Sequence, residues 1–275
     1  MKKIIKNIFP PLIINLIKAL KIRFEFFFSK NKNLVKKNIL LKLKGKNKRA
    51  FLLATGPSIR LENLKLLNGE DCFSVSNFFL HEDIEDIKPK YHFFAPYHEP
   101  LILENYVEWL KQADVKLPKE TKIFLSINTN ELVEKYKLFP EREISYLFLA
   151  DTYPKKIDLQ KPVLCPQSGP LMILPVLFYM GYEEVYLLGC DHTVLRDYKK
   201  EISNFYNKNL DIRKNATDKN TWSDILINLE STEKMFYQYL YYAKCAEIRK
   251  SPKIFNLSQD TWLDYFPIKK LAEIK

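Results

Sequence analysis

Glycine and cysteine are both scarce in this 275-residue chain, with six and four copies. The glycines stand at 45, 56, 69, 169, 181 and 189 and form neither a GxGxxG fingerprint nor a P-loop, so kinase and dinucleotide oxidoreductase readings lose support. Cys72, Cys165, Cys190 and Cys245 make no CxxC pair and no regular framework. That argues against structural zinc and disulfide staples and makes a reducing cytoplasm the simplest setting. There is no Asp-x-Asp pair at a strand end, and no His/Cys/Asp/Glu set has metal-ligand spacing, so no obligatory metal is expected. Long apolar runs are missing as well. The longest uncharged stretch near the start, residues 7–17, contains Pro10-Pro11 and falls well short of the roughly 20 residues a membrane span requires. Basic residues return at once and no small-residue cleavage site follows, which also argues against a signal peptide.

Acidic residues are nearly absent from the first fifty positions. Residues 1–50 carry 15 Lys and Arg against a single acid, Glu25, while residues 51–275 carry 29 basic and 32 acidic side chains. The net charge of +11 therefore divides into +14 and −3. A basic whole chain suggests a nucleic-acid binder, but the slightly acidic body removes that reading, and no nucleic-acid partner is expected. Pro10-Pro11 suits a helix start. Ile13, Leu16, Ile17, Leu20 and Phe24 then follow helical spacing beside Lys18, Lys21 and Arg23, and Phe26-Phe27-Phe28 adds an aromatic cluster. An apolar face with a basic flank predicts an amphipathic helix lying on an anionic membrane surface. The competing reading is a packed helix with a solvated lysine face. Residues 1–49 are assigned to this segment and 50–275 to the body.

The body contains 47% hydrophobic residues in the chain average, ample for a packed core. Apolar runs at 50–54, 72–76, 91–95, 121–127, 144–149, 185–189 and 254–257 read as seven strands. Between them, Leu61, Leu64, Leu66 and Leu67 suggest a helix ending near Gly69, and 169–179 reads as a buried helix ended by Gly181. Alternating strands and helices predict an α/β, Rossmann-like, mostly parallel sheet with helices on both faces. Residues 195–250 read as a lid or a helical flank, with a tyrosine-rich stretch at 236–242.

In such folds ligands sit at the carboxyl ends of strands. Thr55-Gly56-Pro57-Ser58 follows the first strand: Gly56 admits close backbone approach, Pro57 suits a first helical turn, and amides there attract phosphate. A plain strand-to-helix turn is the competing reading. Gln167-Ser168-Gly169-Pro170 repeats the logic, either as a phosphate or sugar-carboxylate site or as a simple cap by Ser168. Asp191 and His192 follow an apolar strand, Asp191 as an acceptor for a ribose or acceptor hydroxyl and His192 as a general base; the competing reading is a capping Asp191 and a hydrogen-bonded loop His192. Tyr97, His98 and Glu99 lie in one Pro-bounded loop and offer a base, an acceptor contact or a nucleotide-stacking ring. His92 falls inside an apolar strand and, like His81, looks less useful.

Four segments together resemble a known family: Leu53-Ala54-Thr55-Gly56-Pro57-Ser58, Ser74-Val75-Ser76-Asn77-Phe78-Phe79, Gln167-Ser168-Gly169, and Gly181-Tyr182-Glu183-Glu184-Val185-Tyr186-Leu187-Leu188-Gly189-Cys190-Asp191. The sequence resembles the bacterial sialyltransferases of glycosyltransferase family 42, and the related motility accessory factor and pterin pyrophosphokinase-like proteins, over about residues 50–195. The resemblance implies a nucleotide-binding domain with a lid and a CMP-activated nonulosonic or related sugar acid as donor. Thr55, Gly56 and Ser58 would then face the nucleotide phosphate, and Asn77 the nucleotide or sugar. Ser168 and Gly169 would meet the sugar carboxylate and phosphate, and Asp191 the cytidine. Two departures stand out. Ala54-Thr55 replaces the family's Gly-Asn, and no histidine follows His192, whereas the family's catalytic histidine lies in the lid.

The expectation is a membrane-associated, inverting, metal-independent glycosyltransferase with no obligatory cofactor. It would act on a surface-glycan or lipid-linked acceptor from the cytoplasmic side of a bacterial inner membrane, with a homo-oligomer left open. His192, His98, Asp191 or Glu99 would serve as base. The alternatives are a diphosphokinase-like phosphoryl transferase and a catalytically inactive scaffold of a glycan-assembly complex.

Overall fold

A computed structural model describes residues 11–197, 204–215 and 224–274. Residues 1–10 of the basic segment, and 198–203 and 216–223 of the expected lid or flank, lie outside the described residues. In chain order the structure begins with α1 (Pro11–Phe28), α2 (Lys32–Lys36), β1 (Arg49–Leu53), β2 (Asp71–Val75), α3 (Ile84–Ile87) and β3 (Tyr91–Phe93). It continues with α4 (Leu103–Lys116), β4 (Lys122–Ser126), α5 (Asn130–Tyr136), β5 (Ile144–Leu147), β6 (Leu149–Ala150) and β7 (Val163–Leu164). The last elements are α6 (Gly169–Met180), β8 (Glu184–Leu188), α7 (Ile225–Arg249) and β9 (Lys253–Asn256).

Seven strands form one sheet in the order β5-β4-β3-β2-β1-β8-β9, with every pairing parallel. Side chains alternate across it, as the strand period of two requires. Ala50 and Leu52 of β1 join the core beneath α6 and α7, while Phe51 and Leu53 join the opposite core with Trp109 and Leu110 of α4. Both faces are therefore covered, which is why the strands read as continuous apolar runs. Helix α6 is buried from Pro170 to Met180 because it lies between the sheet and α7. Each large apolar side chain taken out of water there contributes about 1.5–3 kcal/mol.

Two elements differ from the sequence expectation. The leucines before Gly69 form two 3₁₀ turns, 57–61 and 64–67, instead of one helix, with Leu61 and Leu66 exposed. The fifth strand ends at Leu147, and Leu149 pairs with Val163 in a separate two-strand ladder. The basic segment is divided. Residues 32–48 pack on the body: Val35 is buried, and the Asn38 side-chain amide donates to the carbonyls of Tyr146 at 2.7 Å and Leu159 at 3.0 Å. Helix α1 touches the body through Phe26, edge-on to Phe148 at 5.1 Å, and through an exposed Lys18–Asp151 pair at 3.4 Å. No described helix is long and apolar enough to cross a membrane.

His92 is fully buried between Ser74 and Ser76, with Nδ1 2.7 Å from the Ser74 hydroxyl and Nε2 2.9 Å from the Ser76 carbonyl. A neutral ring satisfies both, accepting from Ser74 and donating to Ser76. Ser76 has φ +58, in the left-handed region that few non-glycine residues adopt, and it leads directly into Asn77. Burial pushes the His92 pKa down to about 3. Above the unfolded-chain value of about 6.5 the ring is neutral in both states. As pH falls from there toward about 3, only the unfolded chain takes the proton, so this group lowers stability by about 1.4 kcal/mol per pH unit. We expect His92→Gln to be less stable than wild type at pH 7 but to lose stability less steeply across that window, as read by urea denaturation. Parallel pH profiles for the two proteins would contradict this role.

Candidate active site

From β1 the chain builds β2 to β5 on one side, then crosses to β8 and β9 on the other. The change of direction opens a crevice at the carboxyl ends of β1 and β8, where ligands bind in sheets of this kind. A cavity of about 420 Å³ lies there, lined by Thr55, Gly56 and Pro57 after β1, by Gly189, Asp191, His192 and Thr193 after β8, and by Ser168, Gly169 and Pro170 at the start of α6.

The β1 and β8 ends are clasped to each other. The Gly56 amide donates to the Gly189 carbonyl at 3.0 Å, and the Ser58 amide donates to Asp191 Oδ2 at 2.9 Å. The Ser58 hydroxyl donates to Asp191 Oδ1. A side chain at Gly56 would overlap the Gly189 carbonyl oxygen and come within 2.7 Å of the Asp191 carboxylate. Gly189 itself has φ +69. Burial raises the Asp191 carboxyl above its ordinary range, and the hydrogen bonds from Ser58 pull the other way. Asp191 therefore caps the turn that follows β1, and the Ser58 amide is already engaged by a carboxylate.

The start of α6 differs. Ser168 is at its N-cap but makes no capping bond. Its Oγ is buried, has no partner in hydrogen-bond geometry, and lies beside the Tyr239 hydroxyl. The N-terminus of this 12-residue helix opens on the cavity and favours negative charge there; Pro170 has no amide proton and the Leu171 amide donates to the Ser168 carbonyl, so Gly169 supplies the amide at the cavity.

His192 has φ +55. Its Nε2 is 2.7 Å from the hydroxyl of Tyr239, fully buried on α7. Nδ1 has no hydrogen-bond partner among the described residues. Burial lowers the His192 pKa to about 4, so the ring is neutral near pH 7. Among the described residues lining the cavity, Arg196 is the one cation, and it pairs with Asp260 at 2.7 Å and Asp197 at 3.0 Å.

The structure thus gathers Thr55, Gly56, Pro57, Ser168, Gly169, Asp191 and His192 around one cavity, with Ser58 immediately behind them. It does not bring Tyr97, His98 and Glu99 there. The Tyr97 hydroxyl donates to the Leu101 carbonyl at 2.9 Å and its ring packs edge-on against Tyr106, so it is spent on shaping its own loop. His98 and Glu99 are exposed on that loop. Asn77 is fully buried: Oδ1 accepts from the Trp109 indole at 2.5 Å, and Nδ2 has no partner in hydrogen-bond geometry. Residues 204–215 lie over this part of the edge. The Phe205 amide donates to the Thr55 carbonyl at 3.3 Å, Phe205 packs on Phe78 and His81, and Asn215 bridges to Leu101. No cluster of three or more metal-ligating side chains occurs among the described residues.

Sequence reasoning did not single out Tyr239 or Arg196. The tyrosine-rich stretch around Tyr239 was visible, but helical spacing alone does not say which of its four tyrosines meets His192.

No family model matches the chain, and no curated protein matches it. Among solved structures it is similar to the sialyltransferase CstII from Campylobacter jejuni in complex with the substrate analogue CMP-3FNeuAc, at 16% identity and a TM-score of 0.43, covering 80% of this chain and 86% of that one. It is also similar to CstII in complex with cytidine-5'-monophosphate, at 17% identity and a TM-score of 0.45, covering 81% of this chain and 85% of that one.

Because the clasp depends on a missing side chain, Gly56→Ala is expected to cost about 1–3 kcal/mol of stability through overpacking. A thermal melt equal to that of wild type would show that the two strand ends can separate without loss.

Proposed function

We propose that the protein is a sialyltransferase-like glycosyltransferase that uses a CMP-activated sugar acid and no metal. The observation that carries this reading is the convergence of three of the four family-like segments, distant in sequence, on one cavity at the β1/β8 crossover. The anionic part of the donor belongs at the start of α6. The Ser58 side of the crevice already holds the Asp191 carboxylate, which repels a second anion and occupies its amide.

In the proposed reaction the acceptor hydroxyl oxygen attacks the anomeric carbon while His192 takes the hydroxyl proton. The bond from that carbon to the phosphate oxygen breaks, its electron pair leaves with CMP, and the configuration inverts. The Gly169 amide, the α6 dipole and Ser168 meet the charge that grows on the phosphate, a contribution that water cannot preorganise. An imidazole held neutral at pH 7 is ready to accept a proton, and an anion bound nearby raises its proton affinity toward the working range.

The same proposal places the protein on the inner face of a bacterial inner membrane, acting on a glycan or lipid-linked acceptor. The support is α1, on which Ile13, Leu16, Ile17, Leu20, Phe24, Phe27 and Phe28 are each between 41% and 64% exposed beside a strongly basic flank.

Thermal shift is expected to show stabilisation by CMP and none by ATP; stabilisation by ATP alone would overturn the donor assignment. His192→Ala is expected to lower turnover about 10²–10⁴-fold while CMP affinity stays near wild type. Unchanged turnover would remove His192 from the reaction. For the membrane contact, Leu16→Asp with Phe24→Asp should abolish co-sedimentation with phosphatidylglycerol-containing liposomes, and unchanged sedimentation would remove α1 from that role.

A further inference from the structure

We propose that Tyr239 is the positioning residue for His192, taking the Nε2 proton on its hydroxyl oxygen so that the unprotonated Nδ1 is the atom presented to the cavity. This rests on the reading of His192 as the base, and adds which ring nitrogen acts and what fixes it.

The backbone does not fix the ring. His192 follows the Asp191 clasp in a left-handed conformation, and its side chain would be free to rotate without a second anchor. Tyr239 supplies that anchor at 2.7 Å from Nε2. It is fully buried on α7, a 25-residue helix, with Phe266 edge-on to its ring at 6.3 Å. Nδ1 has no partner among the described residues, and His192 lines the cavity.

The direction of the hydrogen bond follows from the neighbours. Burial keeps the Tyr239 phenol protonated, its pKa far above the ordinary value. It has one proton to give and two groups beside it that can take it, Ser168 Oγ and the Cys190 thiol. With that proton turned to either of them, its oxygen is left to accept from Nε2–H at 2.7 Å. The reverse direction would put a proton on Nδ1, which could not then remove one from an acceptor. The other polar groups around the ring do not compete. Asp191 is engaged by Ser58, and Arg196 by Asp197 and Asp260. During transfer Nδ1 gains the acceptor's proton, and Nε2 keeps its own, with the imidazolium stabilised by the same tyrosine oxygen.

Long-range proton–nitrogen correlation NMR on the full chain, labelled with 15N-histidine, reads the tautomer directly; His192→Gln identifies the signal. Wild type is expected to show a single Nε2–H tautomer for His192, and Tyr239→Phe a mixture of both. A wild-type Nδ1–H tautomer, or an unchanged tautomer in Tyr239→Phe, would overturn the proposal. If Tyr239→Phe does not fold, the double variant Ser168→Ala with Cys190→Ala answers the same question. Removing both acceptors of the tyrosine proton should turn Tyr239 toward Nε2 and populate Nδ1–H, and an unchanged tautomer there would overturn the proposal too. These outcomes need no bound nucleotide. Absence of CMP binding would defeat the proposed donor while leaving the tautomer result readable.

Discussion

The approach of the β1 and β8 ends, held by the Asp191 carboxylate across the Ser58 amide and hydroxyl, sets the rest of the carboxyl edge. It requires glycine at 56, where a side chain would strike the Gly189 carbonyl, and it leaves Gly189 with a positive φ. It also decides the electrostatics of the cavity. A buried carboxyl group beside the Ser58 turn favours the start of α6 as the place where negative charge is held. In the loop that looks like a phosphate site in sequence, the Ser58 amide is taken by the protein's own carboxylate.

Two histidines at this edge show how burial alone does not define a role. Burial lowers the pKa of both, so both are neutral near pH 7. His92 has both ring nitrogens satisfied, by Ser74 and Ser76, and holds a left-handed turn in place. His192, which lines the cavity, has one nitrogen satisfied and the other without a partner among the described residues. A ring with two partners is a strut. A ring with one can exchange a proton, provided its remaining nitrogen is kept in the right protonation state.

The seven strands were legible because parallel strands covered on both faces read as short apolar runs, and each run found a place in the sheet. The buried helix at 169–180 was legible for the same reason. The 3₁₀ turns after β1 were not, since leucines at 61, 64, 66 and 67 fit helical spacing and only the tertiary setting leaves Leu61 and Leu66 in water. At the site, sequence located the strand ends but not what they do to one another. Asp191 and Ser58 are 133 positions apart, and no local pattern announces that one caps the other. Tyr97, His98 and Glu99 follow a strand end as Asp191 and His192 do, yet β3 lies two strands away from the β1/β8 crossover, and strand order is not written in any one segment. Tyr239 was hidden for a related reason: its partner is a loop residue 47 positions earlier.

The basic N-terminal part has a bearing on the same edge. Residues 32–48 are structural, tied to β5 and to the end of α6, so the charge surplus is not one functional unit. Helix α1 is different. Lys18, Ile22 and Glu25 border a cleft with Ile127 and Asn128, just beyond β4, and with Phe148 and Ala150, just beyond β5. These are carboxyl ends of strands, as is the wall of the cavity at β1 and β8. A membrane met by the exposed apolar face of α1 would therefore lie toward the edge on which the proposed chemistry takes place. A lipid-linked acceptor would then reach the cavity along the row of strand ends, without passing around the sheet.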